Sequence, residues 1–224
     1  MKSPEKYQKK MSVQIKICGI NDKKSLKAAK SADFVGFVFF QKSPRFVTAI
    51  QANQLANQCA MNQKKVGLFV NSDINLIEHI SNHVGLDYIQ LHGTETPQYI
   101  EEIKRRVNKK IIKALLVKNA SDIDKSKDFN KCCDMILFDT KTDNENIFGG
   151  TGVSFDWKLL KNYKSKKKWI LAGGLNIKNI NEAIKITRSP VIDISSGVES
   201  SLGKKSSKKI LEIINHVKED KIKD

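Results

Sequence analysis

The amino-acid sequence predicts an α/β fold in one domain, a (β/α)8 barrel, on three observations. Eight short apolar or alternating runs recur along the chain with a helix-compatible segment after each, at about 25 residues per unit. The 224 residues are 40% hydrophobic, with no shift of composition that would mark a second domain. The chemically unusual residues fall at the C-terminal ends of the runs, where a barrel of this kind builds its active site.

The strand-like runs are VQIKI (13–17), DFVGFVF (33–39), KVGLFV (65–70), DYIQL (87–91), IIKALL (111–116), DMILF (134–138), KWILA (168–172) and PVIDI (190–194). Helices are predicted near 22–31, 48–61, 73–84, 96–107, 121–131, 155–164, 176–187 and 204–218. Short polar side chains that accept backbone N–H bonds stand at several of their starts: Asn21 or Asp22, Thr48, Ser72 or Asp73, Ser121 and Asn176. The competing architecture is an open doubly wound sheet, which carries its phosphate-binding glycines after the first strand. Here only Gly19 follows that strand, and the glycine-bearing loops follow strands six, seven and eight. The barrel is expected to span 13–218, between a polar N-terminal extension at 1–12, expected to be disordered, and a charged tail at 219–224.

Composition narrows the function classes. The longest apolar run, FVGFVFF (34–40), is too short to cross a bilayer, and MKSPEKYQKKM at the start has no apolar core of a secretory signal. A cytoplasmic protein with no membrane partner is expected. Cys18, Cys59, Cys132 and Cys133 form no CxxC pair, so neither a zinc site nor a disulfide framework is signalled. The formal charge of +16 raises the possibility of nucleic-acid binding, but only Arg45, Arg105, Arg106 and Arg188 are arginine, and the lysines are scattered over helical segments without interleaved aromatics. No nucleic-acid partner is expected; a positive field that favours anionic small substrates is.

Side-chain parity brings the unusual residues together. In QIKIC the apolar Ile15 and Ile17 share one face with Val13, leaving Gln14, Lys16 and Cys18 on the other. If the apolar face meets the helices, Cys18 is the uppermost inward residue of its strand. The same alternation groups Met135, Leu137 and Asp139, and groups Tyr88, Gln90 and His92. Cysteine is by default a small buried hydrophobe and a lone Asp before Thr a loop cap. Three such side chains on one barrel mouth favour chemistry instead, with Asp139 a candidate general acid or base. The loop TKTDNENIFGGTG (140–152) is long enough to fold over that mouth. AGG at 172–174 and SSG at 195–197 are ordinary turns taken singly, but on adjacent strands they match a phosphate cradle of backbone N–H groups. Arg45, in KSPR, suits a second anion such as a carboxylate. His92 has no second ligand at metal spacing near it, so no metal is expected.

KICGI, GFVFFQKSPR, VGLFVN, IQLHGTE, LFDT with GGTG and FDW, LAGGLN and DISSGVE, in this order, resemble the signature segments of the phosphoribosylanthranilate isomerase family of tryptophan biosynthesis. The resemblance covers about 13–212 and every strand but the fifth. It implies an Amadori rearrangement of N-(5-phosphoribosyl)anthranilate to 1-(2-carboxyphenylamino)-1-deoxyribulose 5-phosphate, with no cofactor, by a monomer or weak homodimer. On the matched positions, Asp139 is the general acid and Cys18 the general base; Arg45 holds the anthranilate carboxylate; Gly173, Gly174, Ser195, Ser196 and Gly197 hold the phosphate; His92 and Asp193 are further mouth residues. The related isomerase of histidine biosynthesis, or a dual-specificity relative, would share the phosphate turns but generally carries Asp where Cys18 stands. A non-enzymatic basic binding module is the remaining alternative.

Overall fold

The structure is a computed structural model that describes residues 13–141 and 154–219. Eight parallel strands, β1 (Gln14–Cys18), β2 (Phe34–Val38), β3 (Lys64–Phe69), β4 (Tyr88–Leu91), β5 (Lys110–Val117), β6 (Met135–Thr140), β7 (Trp169–Leu171) and β8 (Val191–Ile194), close into a barrel in chain order, β8 pairing back to β1. This is the TIM-barrel architecture. The predicted extension and tail, and most of the loop after β6, lie outside the described residues. Among the described residues no helix is long and apolar enough to cross a membrane.

Strand parity divides the apolar residues into two cores. One face of each strand joins Ile15, Ile17, Val35, Phe37, Phe69, Ile89, Ile111, Phe138 and Ile192 to the helices in the larger core. The other face fills the barrel lumen with Phe34, Val66, Tyr88, Ile112, Met135, Leu137, Ile170 and Val191. Phe34 and Tyr88 meet edge to face there, ring centroids 5.6 Å apart. Cys18 and Asp139 therefore stand on the lumen side, above this apolar layer.

The outer layer comprises α1 (Lys23–Ala28), α2 (Ala49–Ala56), α3 (Ile74–Val84), α4 (Pro97–Arg106), α5 (Ala120–Asp124), α6 (Ser126–Phe129), α7 (Ile180–Thr187) and α8 (Ser207–Glu219). Local chemistry sets their starts: Asp22 and Asp73 accept backbone N–H bonds, and Thr48 with Gln51 forms a capping box. Two expected caps fall elsewhere. Asn119, not Ser121, caps α5 in a box with Asp122, and Asn176 lies in the turn before α7, where it accepts from Lys178 N. The helix predicted over 121–131 is two short pieces, Ala120–Asp124 and Ser126–Phe129, in a run rich in Ser and Asp, residues of low helix propensity.

The helix predicted over 155–164 is a correction: the chain makes one 3-10 turn, Trp157–Leu160. Trp157 and Leu160 are the residues it buries, and the polar run after Leu160 continues no apolar stripe except Tyr163. Tyr163 packs edge to face on Phe138 and Trp169 and ties this segment to β6 and β7. The last helix also starts later than predicted, since a two-stranded hairpin, β9 (Glu199–Ser201) and β10 (Lys204–Lys205), precedes it.

Candidate active site

Glycine makes the floor of the mouth possible. Gly36 is the β2 register partner of Cys18, and a Cβ there would lie 2.9 Å from Cys18 Sγ and 3.4 Å from Lys16 Nζ. The thiol and the lysine tip thus occupy the space that a side chain would take. Lys16 is fully buried, and register opposes it to Asp193 on β8, whose Oδ2 accepts from Nζ at 2.8 Å. Asp193 lines the cavity, and its Oδ1 is buried with no hydrogen-bond partner among the described residues. Burial alone would lower the Lys16 ammonium pKa; Asp193 and the adjacent Cys18 reverse that and raise it. Burial pushes the Cys18 thiol up, and Lys16 and Lys205 pull against that rise while Asp193 adds to it.

Arg45 reaches the same mouth from the loop after β2. Gly19, at φ +79°, allows it through, for a Cβ there would sit 2.7 Å from Arg45 Cδ. Arg45 is 6% exposed and gives Nε and Nη2 to the two oxygens of Glu199, at 2.7 and 3.0 Å. Glu199 Oε1 also accepts from Lys205 Nζ at 2.8 Å, and its Oε2 accepts from Gly203 N. Lys205 Nζ continues to Ser195 O at 2.9 Å and Ser195 Oγ at 3.2 Å, and that hydroxyl donates to Cys18 O. Burial alone would raise the Glu199 carboxyl pKa; its bonds to Arg45 and the Lys205 charge hold it below the usual range. Burial lowers the Lys205 ammonium despite Glu199.

On the far side Asp139 ends β6, 6% exposed. Its Oδ1 accepts from Thr140 N at 2.7 Å, and its Oδ2 lies 3.4 Å from His92 Nε2 without hydrogen-bond geometry. His92 Nδ1 meets Gln90 Nε2 at 3.0 Å. The turn after β4 that carries His92 is itself locked. Glu95 accepts from Asn71 N and Gly93 N and pairs with buried Lys113 at 2.8 Å, while Asn71 Oδ1 accepts from Thr94 N. Gly173 and Gly174 both have positive φ, 86° and 65°, and border the mouth with Ser195 and Ser196.

Cys18, Arg45, His92, Asp139, Gly173, Gly174, Asp193, Ser195 and Ser196 all line one cavity. Gly197 sits behind it, where a Cβ would strike Leu175 O at 2.0 Å; it sets the approach of the β7 and β8 turns. The loop expected to fold over the mouth lies outside the described residues from 142 to 153. Sequence reasoning gave no role to the apolar wall of Val38, Phe40, Leu68 and Val70, although these residues lie within GFVFFQKSPR and VGLFVN, because they have no polar group to mark them. It also missed Glu199 and Lys205, which only the hairpin brings to Arg45. Among the described residues no group of three His, Cys, Asp or Glu could hold a metal ion.

Fold and mouth define a (β/α)8-barrel enzyme with charged groups ringed around one opening at the C-terminal strand ends. The model of the N-(5'phosphoribosyl)anthranilate (PRA) isomerase family matches residues 15–216. The chain belongs to that family and is an isomerase. It is 45% identical over 207 residues to the N-(5'-phosphoribosyl)anthranilate isomerase of Paracoccus denitrificans, covering 91% of this chain and 96% of that one. The phosphoribosyl anthranilate isomerase of Thermotoga maritima superposes with a TM-score of 0.82 at 35% identity, over 92% and 99% of the two chains. A phosphoribosyl anthranilate isomerase in complex with reduced 1-(o-carboxyphenylamino)-1-deoxyribulose 5-phosphate superposes with a TM-score of 0.80 at 33% identity, again over 92% and 99%.

Proposed function

We propose that the protein isomerises N-(5-phosphoribosyl)anthranilate to 1-(2-carboxyphenylamino)-1-deoxyribulose 5-phosphate in tryptophan biosynthesis, with Asp139 as general acid and Cys18 as general base. The observation that carries this reading is the gathering of a carboxyl, a thiol, an arginine and two turns from β7 and β8 on one mouth. Closure of the barrel puts those turns between Asp139 on β6 and Cys18 on β1. A phosphate held by the N–H groups of Gly173, Gly174, Ser195 and Ser196 would leave a sugar between acid and base. Arg45 then pairs with the anthranilate carboxylate, and Val38, Phe40, Leu68 and Val70 pack on its ring.

Asp139 gives its proton to the furanose ring oxygen; the ring C–O bond breaks and an iminium forms at C1. Cys18, as thiolate, takes the proton from C2, giving an enolamine that tautomerises to the ketone. A carboxylic acid is a suitable donor to the ring oxygen, whereas a C–H next to an iminium needs only a moderate base. Thr140 N holds Asp139 Oδ1, His92 stands beside that carboxyl on the mouth, and Asp193 Oδ1 accepts from a sugar hydroxyl.

The test is turnover of Cys18→Ala and Asp139→Asn, followed by loss of substrate fluorescence. Each is expected to cut kcat by at least about 100-fold with little change in KM, and Cys18→Ser is expected not to recover the loss, a hydroxyl being a far weaker base. Near-parental turnover in folded Cys18→Ala would overturn the assignment.

A further inference from the structure

Among the described residues Lys16 is the one fully buried lysine on the lumen face of the strands, and neither the acid nor the base step employs it. A buried ammonium is costly unless it is paired and has a use, so its place calls for a reason. Three observations supply one. First, Lys16 stands two residues before Cys18 on the same face of β1, so its Nζ rises toward the thiol layer instead of leaving it. Second, Gly36 leaves room for both tips: the position where its Cβ would be is in contact with Cys18 Sγ and Lys16 Nζ alike. Third, Asp193 engages Nζ through Oδ2 alone, one bond of the three an ammonium offers, so the pairing leaves Lys16 donor capacity for Cys18.

We propose that Lys16 is the positioning residue that makes Cys18 a usable base, by holding a cation against Sγ that stabilises the thiolate while Asp193 fixes that cation in place. The inference rests on the reading of Cys18 as the base and adds the group that sets its proton affinity. Among the described residues no other element facing the thiol offers an equivalent. β2 presents Gly36, β8 presents the Asp193 carboxylate, which opposes the thiolate, and Lys205 on β10 is committed to Glu199 and Ser195. The tips of Lys16 and Cys18 meet at the space over Gly36, and the Lys16 charge acts on the thiol more strongly than that of Lys205. It works against the rise that burial imposes.

The experiment measures the Cys18 thiol directly and without turnover. The rate of Cys18 alkylation by iodoacetamide, read by mass spectrometry of the Cys18 peptide, is followed against pH in the parent enzyme, Lys16→Met, Lys16→Arg, and Lys16→Met with Asp193→Asn. Lys16→Met is expected to move the alkylation midpoint up by at least one pH unit, to move the acid limb of the kcat profile up by the same amount, and to leave KM within about twofold, as befits loss of a group that acts on the base. Lys16→Arg, which keeps the charge, is expected to recover most of the shift. The double variant, free of any unpaired buried charge, is expected to show a smaller rise in the same direction, and it gives the answer if the single variant does not fold. An unchanged midpoint in a folded variant lacking the Lys16 charge would overturn the proposal, even with Cys18 essential. If Cys18→Ala proved active while the midpoint still shifted, the reading of Cys18 as the base would fail and the effect of Lys16 on the thiol would stand.

Discussion

Replacing Glu199 by Gln keeps the shape of the side chain and removes the negative charge that two buried cations, Arg45 and Lys205, share. Arg45 and Glu199 side chains are 8% and 5% exposed, and the Lys205 side chain is 0% exposed, so solvent screens none of the three. Loss of one partner from a buried ion pair costs about 3–5 kcal/mol because the remaining charge stays desolvated. Here two cations are left facing each other, which places the loss at the upper part of that range. For a domain of this size the melting temperature should fall by something on the order of 10 °C. Arg45 also loses one of the two oxygens that accept from Nε and Nη2, so KM should rise while kcat changes less. Urea unfolding and thermal melts give the stability, and initial rates give the split. A compensating change provides an internal control: adding Lys205→Met to Glu199→Gln removes one surplus cation and should return part of the stability. A Glu199→Gln protein that melts within about 2 °C of the parent, less than one kcal/mol on that scale, would refute the account of Glu199 as the clamp of Arg45.

Three further outcomes are expected. Arg45→Ala should raise KM by about 1.5–3 kcal/mol in free-energy terms, the scale of a charge-assisted hydrogen bond, and weaken a carboxylate-bearing product analogue more than inorganic phosphate in competition assays. Gly173→Ala should destabilise by roughly 1–3 kcal/mol from its φ of +86°, and should also slow turnover. Its Cβ would fall 2.3 Å from Thr140 Oγ1 and 3.3 Å from Asp139 Oδ1, so the acid must shift. Stability should fall as pH rises above 9, since burial raises the thiols of Cys18, Cys132 and Cys133 and lifts Cys59 from 9.0 to about 11. The folded chain keeps protons that the unfolded chain releases, so this contribution is whole below pH 9 and is lost above it. Denaturation midpoints against pH should show a shallower decline between 9 and 11 in Cys59→Ser.

The barrel was legible because parallel strands buried on both faces leave near-continuous apolar runs, and because a period of two fixes which residues enter the lumen. That is why Cys18, His92 and Asp139 could be placed together from KICGI, IQLHG and LFDT alone. The segment at 155–164 misled because DWKLLKNY has helical composition, while the buried residues of the segment, Phe155, Trp157 and Leu160, are followed by a polar run in which only Tyr163 packs. Caps were legible where Asp or Thr directly preceded an apolar period, as at Asp22 and Thr48, and not where several short polar residues stood in a row, as at 119–122. Arg45 showed its type but not its anchor. Glu199 lies 154 residues away, and the hairpin that delivers it turns at Leu202–Gly203, where a two-residue reversal carries almost no periodic signal. Lys16 stood in view as a polar residue on an inward face, yet its partner followed only from the β1–β8 register.

The apolar packing inside the barrel has a bearing on traffic through the enzyme. Phe34, Tyr88, Ile112, Met135, Leu137 and Val191 plug the lumen below the charged layer, so the described residues form a vessel closed at its base. Whatever enters at the C-terminal rim must leave by that rim. Arrival of a new reactant and departure of the finished one are then mutually exclusive events at a single doorway, and accumulated product slows the enzyme by occupying the entrance. Its inhibition should be purely competitive against substrate, overcome completely by raising substrate concentration, with no effect on the limiting rate.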